Sequence, residues 1–201
     1  MSINVGIYIY DRVEVLDFAG PFEVFSTASR VIARMDSDVQ DFFTVFTIGE
    51  KLTPILARGG LQILPKYQIS DHPEINLLII PGGIVSDELE KINLISWIKE
   101  TSNVANITAS VCTGAFLLAT AGLLQSITAT THWEDIDDFV SMFPDIKIKR
   151  NTRWVDEGNV VTSAGISAGI DMSLHLVSRL DNEDLAIRTA KQMEYDWNSG
   201  T

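Results

Sequence analysis

Cys112 is the only cysteine of the chain, and its surroundings suit a nucleophile. It closes an apolar β-type run, Ile107 to Val111, and Thr113-Gly114 then leads into a helix-type run, Ala115 to Ala121. A strand that turns sharply into a helix at one reactive residue is a nucleophile elbow. Such a turn lifts the side chain to the carboxyl end of the strand. There the free N–H groups and positive dipole end of the following helix face it. Those donors favour the thiolate, the reactive form of the side chain. A lone cysteine also packs as a small, inert hydrophobe, so Cys112 is at this point a candidate.

Asp17 is an acid among apolar neighbours, in Val15-Leu16-Asp17-Phe18-Ala19-Gly20-Pro21. It suits the N-cap of a helix opening near Pro21. It also suits a partly buried carboxyl beside Cys112, whose pKa burial and a nearby thiolate would raise. Such a group can donate a proton to a substrate and later take one from water. Pro81-Gly82-Gly83 is either a tight turn or a pair of backbone donors aimed at a developing anion, since glycine allows close approach. Thr113 offers a hydroxyl and an elbow N–H. His132 is the most tempting base for a Cys-His pair, but its place at a helix start equally suits local hydrogen bonding. His72 reads as a surface-loop residue and His175 as packing or interface. Trp133, Trp154 and Trp197 read as core or dimer contacts, and Asp135, Asp137 and Asp138 as a solvated face.

The elements that must position these residues alternate along the chain. Ile3 to Tyr10 reads as a strand, followed by a helix from Gly20-Pro21 carrying Phe22, Val24, Phe25 and Ile32. Phe43 to Ile48 is a second strand. Ile55 and Ile63 flank Gly59-Gly60, a hairpin signal. Asn76 to Pro81 is apolar after its first residue, as parallel strands buried on both faces are. Leu89, Ile92, Ile95 and Ile98 recur at helical spacing. Thr131-His132-Trp133-Glu134 reads as a capping box for a helix carrying Ile136, Phe139 and Val140. A hairpin around Asp156-Glu157-Gly158 and two closing helices, Ile170–Leu180 and Leu185–Tyr195, complete the pattern. Alternation of this kind predicts a three-layer α/β/α sandwich with a mostly parallel sheet. Ligands in such folds bind outside the carboxyl ends of the strands. Asp17, Gly82-Gly83, Cys112 and Gly165-Ile166 all follow predicted strand ends, so one place can hold all four.

Bulk properties narrow the function. The 201 residues suit one domain, residues 1–201, with 46% hydrophobic and 21% charged positions as in ordinary globular proteins. A net charge of −12 disfavours a nucleic-acid surface. No apolar run is long enough to span a bilayer and no signal segment is evident, so no membrane partner is expected. One cysteine permits no intramolecular disulfide and fits a reducing, cytoplasmic setting. The three scattered histidines show no metal-ligand spacing, and no metal is expected.

Taken together, Asp17-Phe18-Ala19-Gly20-Pro21-Phe22-Glu23-Val24, Pro81-Gly82-Gly83, Ser110-Val111-Cys112-Thr113-Gly114-Ala115, Ala129-Thr130-Thr131-His132-Trp133 and Ala168-Gly169-Ile170-Asp171 resemble the ThiJ/PfpI superfamily. That superfamily has the flavodoxin-like, class I glutamine-amidotransferase-like fold. The resemblance runs from Ile3 to about Tyr195. Within the superfamily the pattern is most similar to isocyanide hydratases, which carry aspartate at the position of Asp17 and Thr after the cysteine. PfpI-type proteases and amidases have His in the place of Thr113. The pattern also occurs in sensor domains of AraC-type regulators, whose helix-turn-helix domain would have to follow Thr201. The resemblance implies Cys112 as nucleophile and Asp17 as acid/base. Thr113, Gly82, Gly83 and Ile166 would line the substrate pocket. It implies a small-molecule substrate, no cofactor and a homodimer. One departure stands out: Ser163-Ala164-Gly165 replaces the family's glycine run, which bears on substrate choice. Redox or ligand sensing, and another cysteine enzyme such as a glyoxalase or amidase, remain the alternatives.

Overall fold

The computed structural model describes residues 2–200. Its centre is a seven-stranded sheet built from β1 (Ile3–Tyr8), β2 (Phe43–Gly49), β5 (Tyr67–Gln68), β6 (Leu77–Ile80), β7 (Ile107–Val111), β10 (Trp154–Asp156) and β11 (Val160–Ser163). Their spatial order is β10-β11-β7-β6-β1-β2-β5. Every pairing is parallel except β10 with β11. All residues of β6, β7 and β11 are buried, as a parallel strand covered on both faces requires.

The helical layers follow from the apolar spacing. α1 (Val15–Met35), α6 (Ala168–Leu180) and α7 (Glu183–Gln192) pack on one another. α2 (Ser86–Leu89), α3 (Ile92–Val104) and α4 (Gly114–Thr120) form a second group. α5 (Ile136–Met142) buries Ile136 and Phe139, and Phe139 meets Phe116 of α4 edge-on. The expected α/β/α sandwich is what the chain forms. Each fully buried side chain of the central strands contributes about 1.5–3 kcal/mol relative to exposure. Small pairs complete the fold: β3 (Ile55–Leu56) with β4 (Gln62–Ile63), and β8 (Thr128–Ala129) with β9 (Lys147–Ile148). Among the described residues, no helix is long and apolar enough to cross a membrane.

Three local expectations change. The helix expected from Gly20-Pro21 begins at Val15 and holds Pro21 inside it, so Asp17 lies in the first turn rather than at a cap. Burying Phe18 and hydrogen-bonding Asp17 outweigh the break that proline introduces. The single periodic stretch around Leu89 and Ile92 is two helices, α2 and α3, and Ile92 is exposed. The capping box does not form, because the Thr131 hydroxyl donates to the Cys112 carbonyl at 2.9 Å instead. His132 precedes a 3-10 turn, Trp133–Asp135, that leads into α5.

Candidate active site at the elbow

The elbow is real and its backbone is tied at both ends. Cys112 has φ +56°, a left-handed conformation that costs a non-glycine residue of order 1 kcal/mol or more. Its N–H donates to Ser163 of the neighbouring strand at 3.1 Å, and its carbonyl accepts from Thr131. The glycine after Thr113 is required: a Cβ on Gly114 would overlap the Ile80 carbonyl.

Asp17 is fully buried behind the cysteine. Its two oxygens each accept a backbone N–H, Oδ2 from Gly82 at 3.1 Å and Oδ1 from Ile166 at 3.1 Å. Burial pushes its pKa up to about 7, with the two backbone donors and the thiol of Cys112 pulling against that rise. The Cys112 thiol is also pushed up, first by burial and then by the charge of Asp17. The elbow donors do reach the sulfur, since the Thr113 N–H lowers its pKa, but desolvation wins. The expected resting thiolate is therefore corrected to a resting thiol beside a carboxyl that titrates near neutrality. The two groups form one coupled acid system.

Gly82 and Gly83 do not serve as two free anion donors. The Gly82 N–H is spent on Asp17. The Gly83 N–H donates to Thr113 Oγ1 at 2.9 Å, and that hydroxyl donates back to the Gly83 carbonyl at 2.9 Å. Toward the sulfur, Thr113 acts first through its backbone N–H and to a lesser extent through its hydroxyl. Gly82 must be glycine because a Cβ would stand 2.6 Å from the Thr113 nitrogen. Gly83 has φ +139°, which side chains rarely adopt. Thr113, Gly83 and Ile166 line the pocket with Cys112, whereas Gly82 and Asp17 lie beneath it.

That pocket is an open cleft of about 850 Å³. Ile84, Val85, Leu89, Phe116, Met142 and Ile166 supply apolar walls. Glu134, Asp135 and Asp138 stand on the α5 side, so the solvated face expected for this segment is in part a pocket wall. Glu14 and Arg58, paired at 3.0 Å, stand at another edge. The hairpin of β3 and β4 thus brings Arg58 to the site.

The structure brings His132 and Asp135 to the sulfur, and it gives Gly165, expected at this place from its position after a strand, a specific part there. One nitrogen of His132, Sγ of Cys112 and a carboxylate oxygen of Asp135 all lie within 4.8 Å of one another. His132 Nδ1 is 3.2 Å from Asp135 Oδ2. A Cβ on Gly165 would overlap the His132 ring and stand 3.2 Å from Sγ, so this glycine leaves room for the pair. The signal was the His-to-Asp spacing of three residues after a short strand, readable only once β8 is known to end beside the elbow. The other histidines are occupied elsewhere. His72 is half-buried rather than free on a loop and accepts from Trp97 Nε1 at 2.9 Å. His175 meets Asp156 at 2.7 Å beside buried Trp154. Trp133 is exposed rather than in the core.

The model of the DJ-1/PfpI family matches residues 3–179. An isonitrile hydratase from Pseudomonas putida is 33% identical over 97% of this chain and 79% of that protein. The HTH-type transcriptional regulator GbdR of Pseudomonas aeruginosa is 24% identical over 96% of this chain, which spans only 51% of the regulator. The crystal structure of a ThiJ/PfpI family protein from Pseudomonas syringae superimposes with a TM-score of 0.84 at 24% identity, covering 98% of this chain and 77% of that one.

Proposed function

The chain belongs to the DJ-1/PfpI family, and from that premise we propose that it hydrates isonitriles to N-formamides through Cys112. The observation that carries this reading is the buried Asp17 carboxyl beside the thiol, with a pKa near 7, where one group can act as base and as acid in turn. The similarity to an isonitrile hydratase supplies the reaction class.

The steps balance without a cofactor. Ionised Asp17 takes the proton of the Cys112 thiol as sulfur attacks the terminal carbon of R–N≡C. The same carboxyl returns that proton to the carbon, leaving the thioimidate Cys–S–CH=N–R. Asp17 then takes a proton from water as the water oxygen adds to the carbon, and passes that proton to the nitrogen. The adduct Cys–S–CH(OH)–NH–R collapses: its C–S bond breaks as the hydroxyl becomes the formamide carbonyl, the hydroxyl proton passes through Asp17 to the sulfur, and the formamide leaves. Covalent catalysis of this kind divides one difficult addition into two easier ones. The apolar walls suit the carbon body of the isonitrile, and the thiol at the cleft floor suits its compact terminal carbon.

Self-association, expected from the resemblance, belongs to the same reading. The exposed Leu56, Leu61 and Leu64 around the β3–β4 hairpin offer an apolar surface for it. Ligand sensing is a second reading, favoured by the regulator that matches 96% of this chain.

One experiment separates them: formamide formation from a simple alkyl or aryl isonitrile, by wild type and by Cys112→Ala. Turnover by the wild type alone supports the hydratase. Absence of turnover by fully reduced wild type rejects it in favour of sensing or another cysteine chemistry.

A further inference from the structure

We propose that Cys112, His132 and Asp135 form a binding site for a borderline-soft divalent cation, best matched by Zn²⁺, and that the bound ion silences the thiol. The three donor atoms come from the elbow and from the 132–135 turn, and they lie within 4.8 Å of one another. Sulfur, imidazole nitrogen and carboxylate oxygen are together a zinc-type donor set, unsuited to Mg²⁺ or Ca²⁺, which require oxygen ligands. Three protein ligands leave the fourth tetrahedral position open toward the cleft for water.

The geometry needs little change. With zinc bonds of about 2.0–2.3 Å, tetrahedral ligand atoms stand roughly 3.3–3.6 Å apart. His132 Nδ1 and Asp135 Oδ2 already stand 3.2 Å apart. Closing a gap of up to 4.8 Å to that separation asks for a shift of about 1.5 Å at most. The Asp135 side chain is 35% exposed and sits on a short 3-10 turn, so the shift falls on it while Cys112 stays pinned. Gly165 keeps the space between Sγ and the imidazole free of side-chain atoms. Glu134 and Asp138 line the same wall and raise the local concentration of cations. The open cleft is the entry path. On binding, the thiol gives its proton to solvent as the metal–sulfur bond forms, and nothing is oxidised or reduced. Donation to the ion withdraws electron density from the sulfur, and the metal with its ligands crowds the approach of a substrate carbon, so the thiolate is a weaker nucleophile than when free. Binding does not depend on which substrate Cys112 attacks; only the loss of turnover does.

The test is a calorimetric titration of the reduced, full chain with ZnCl₂. Alongside it, the rate at which iodoacetamide alkylates Cys112 is followed by intact mass, with and without the metal. The expected result is one equivalent of Zn²⁺ per chain and alkylation slowed about tenfold or more, with Mg²⁺ giving no protection. Affinity should fall at least about tenfold in Cys112→Ala, His132→Ala and Asp135→Asn. No binding, binding that leaves the alkylation rate unchanged, or binding that survives both Cys112→Ala and His132→Ala would overturn the site. The alkylation arm uses wild type alone, so it holds even where a variant folds poorly. Protection without any isonitrile turnover would uphold the metal site while the hydratase reading fails.

Discussion

The backbone N–H of Ile166 donates to Oδ1 of Asp17 at 3.1 Å, joining residues 149 positions apart. Ile166 makes this bond with φ +55°, a left-handed conformation that is an outlier for a β-branched residue. The cost of that conformation is offset by satisfying one oxygen of a fully buried carboxyl, while Gly82 satisfies the other. Asp17 is thereby held in place beneath Cys112, and both donors come from loops that leave strand ends.

Turnover should depend on Asp17 being ionised, because the resting thiol must hand its proton to that carboxyl. We expect kcat/KM for an isonitrile to rise about tenfold per pH unit below about pH 7 and to level off above it. Asp17→Asn should lose about 10²–10⁴ in rate and lose the rise with pH. A wild-type profile flat from about pH 5 to pH 9 would remove Asp17 from the proton path.

The same carboxyl should make stability depend on pH. Its folded pKa, about 7, is raised above the unfolded value near 3.8, so the folded chain binds the proton more tightly. The stabilisation is complete below the unfolded value and is lost as pH rises through about 7. Denaturant melts should show a loss on the order of 2–4 kcal/mol between about pH 5 and pH 8 that Asp17→Asn lacks. Stability that increases over this range in wild type relative to Asp17→Asn would contradict the raised pKa.

Gly165→Ala should close the space between the sulfur and His132. The added methyl overlaps the His132 ring and reaches the sulfur, so the ring or the 132–135 turn must move. We expect overpacking of about 1–3 kcal/mol by thermal melting and a far larger loss of turnover. Normal kinetics in this variant would mean that the space around Sγ is not used.

Thr131→Val should uncouple the 130–132 segment from the elbow. It removes the hydroxyl that donates to the Cys112 carbonyl, although the weaker Ala115 N–H contact at 3.3 Å remains. The expected cost is about 1 kcal/mol, a fall in Tm of roughly 2–4 °C. Because the carbonyl belongs to the strained residue, kcat should fall more than stability does. A variant that loses stability but keeps kcat would assign Thr131 to the fold alone.

Apolar runs made the parallel core legible. Leu77 to Ile80 lacks the polar alternation of a half-solvated strand, whereas Ile107 to Val111 carries Thr108 and Ser110 and is nonetheless buried throughout; both strands are central. The elbow was legible for a similar local reason, since strand, Cys112, Thr113-Gly114 and helix are contiguous. Asp17 was harder. Its neighbours fitted a cap as well as a site, and only the position of β6 and of the segment after β11 brings Gly82 and Ile166 to its oxygens. Thr131 shows the opposite failure: local spacing favoured a capping box, but a buried carbonyl 19 residues away is the partner the hydroxyl takes.

The sequence by itself determined the layered α/β sandwich, the family pattern and the elbow at Cys112, because these rest on periodicity and on contiguous residues. Tertiary structure alone decided the electrostatic setting of Cys112 and the company it keeps. Burial is a property of the packed whole, and it reverses the thiolate preference that the elbow donors alone would give. Proximity is likewise set by the sheet. His132 and Asp135 meet Cys112 because β8 delivers their turn to the carboxyl end of β7, a distance in space that spacing along the chain does not encode.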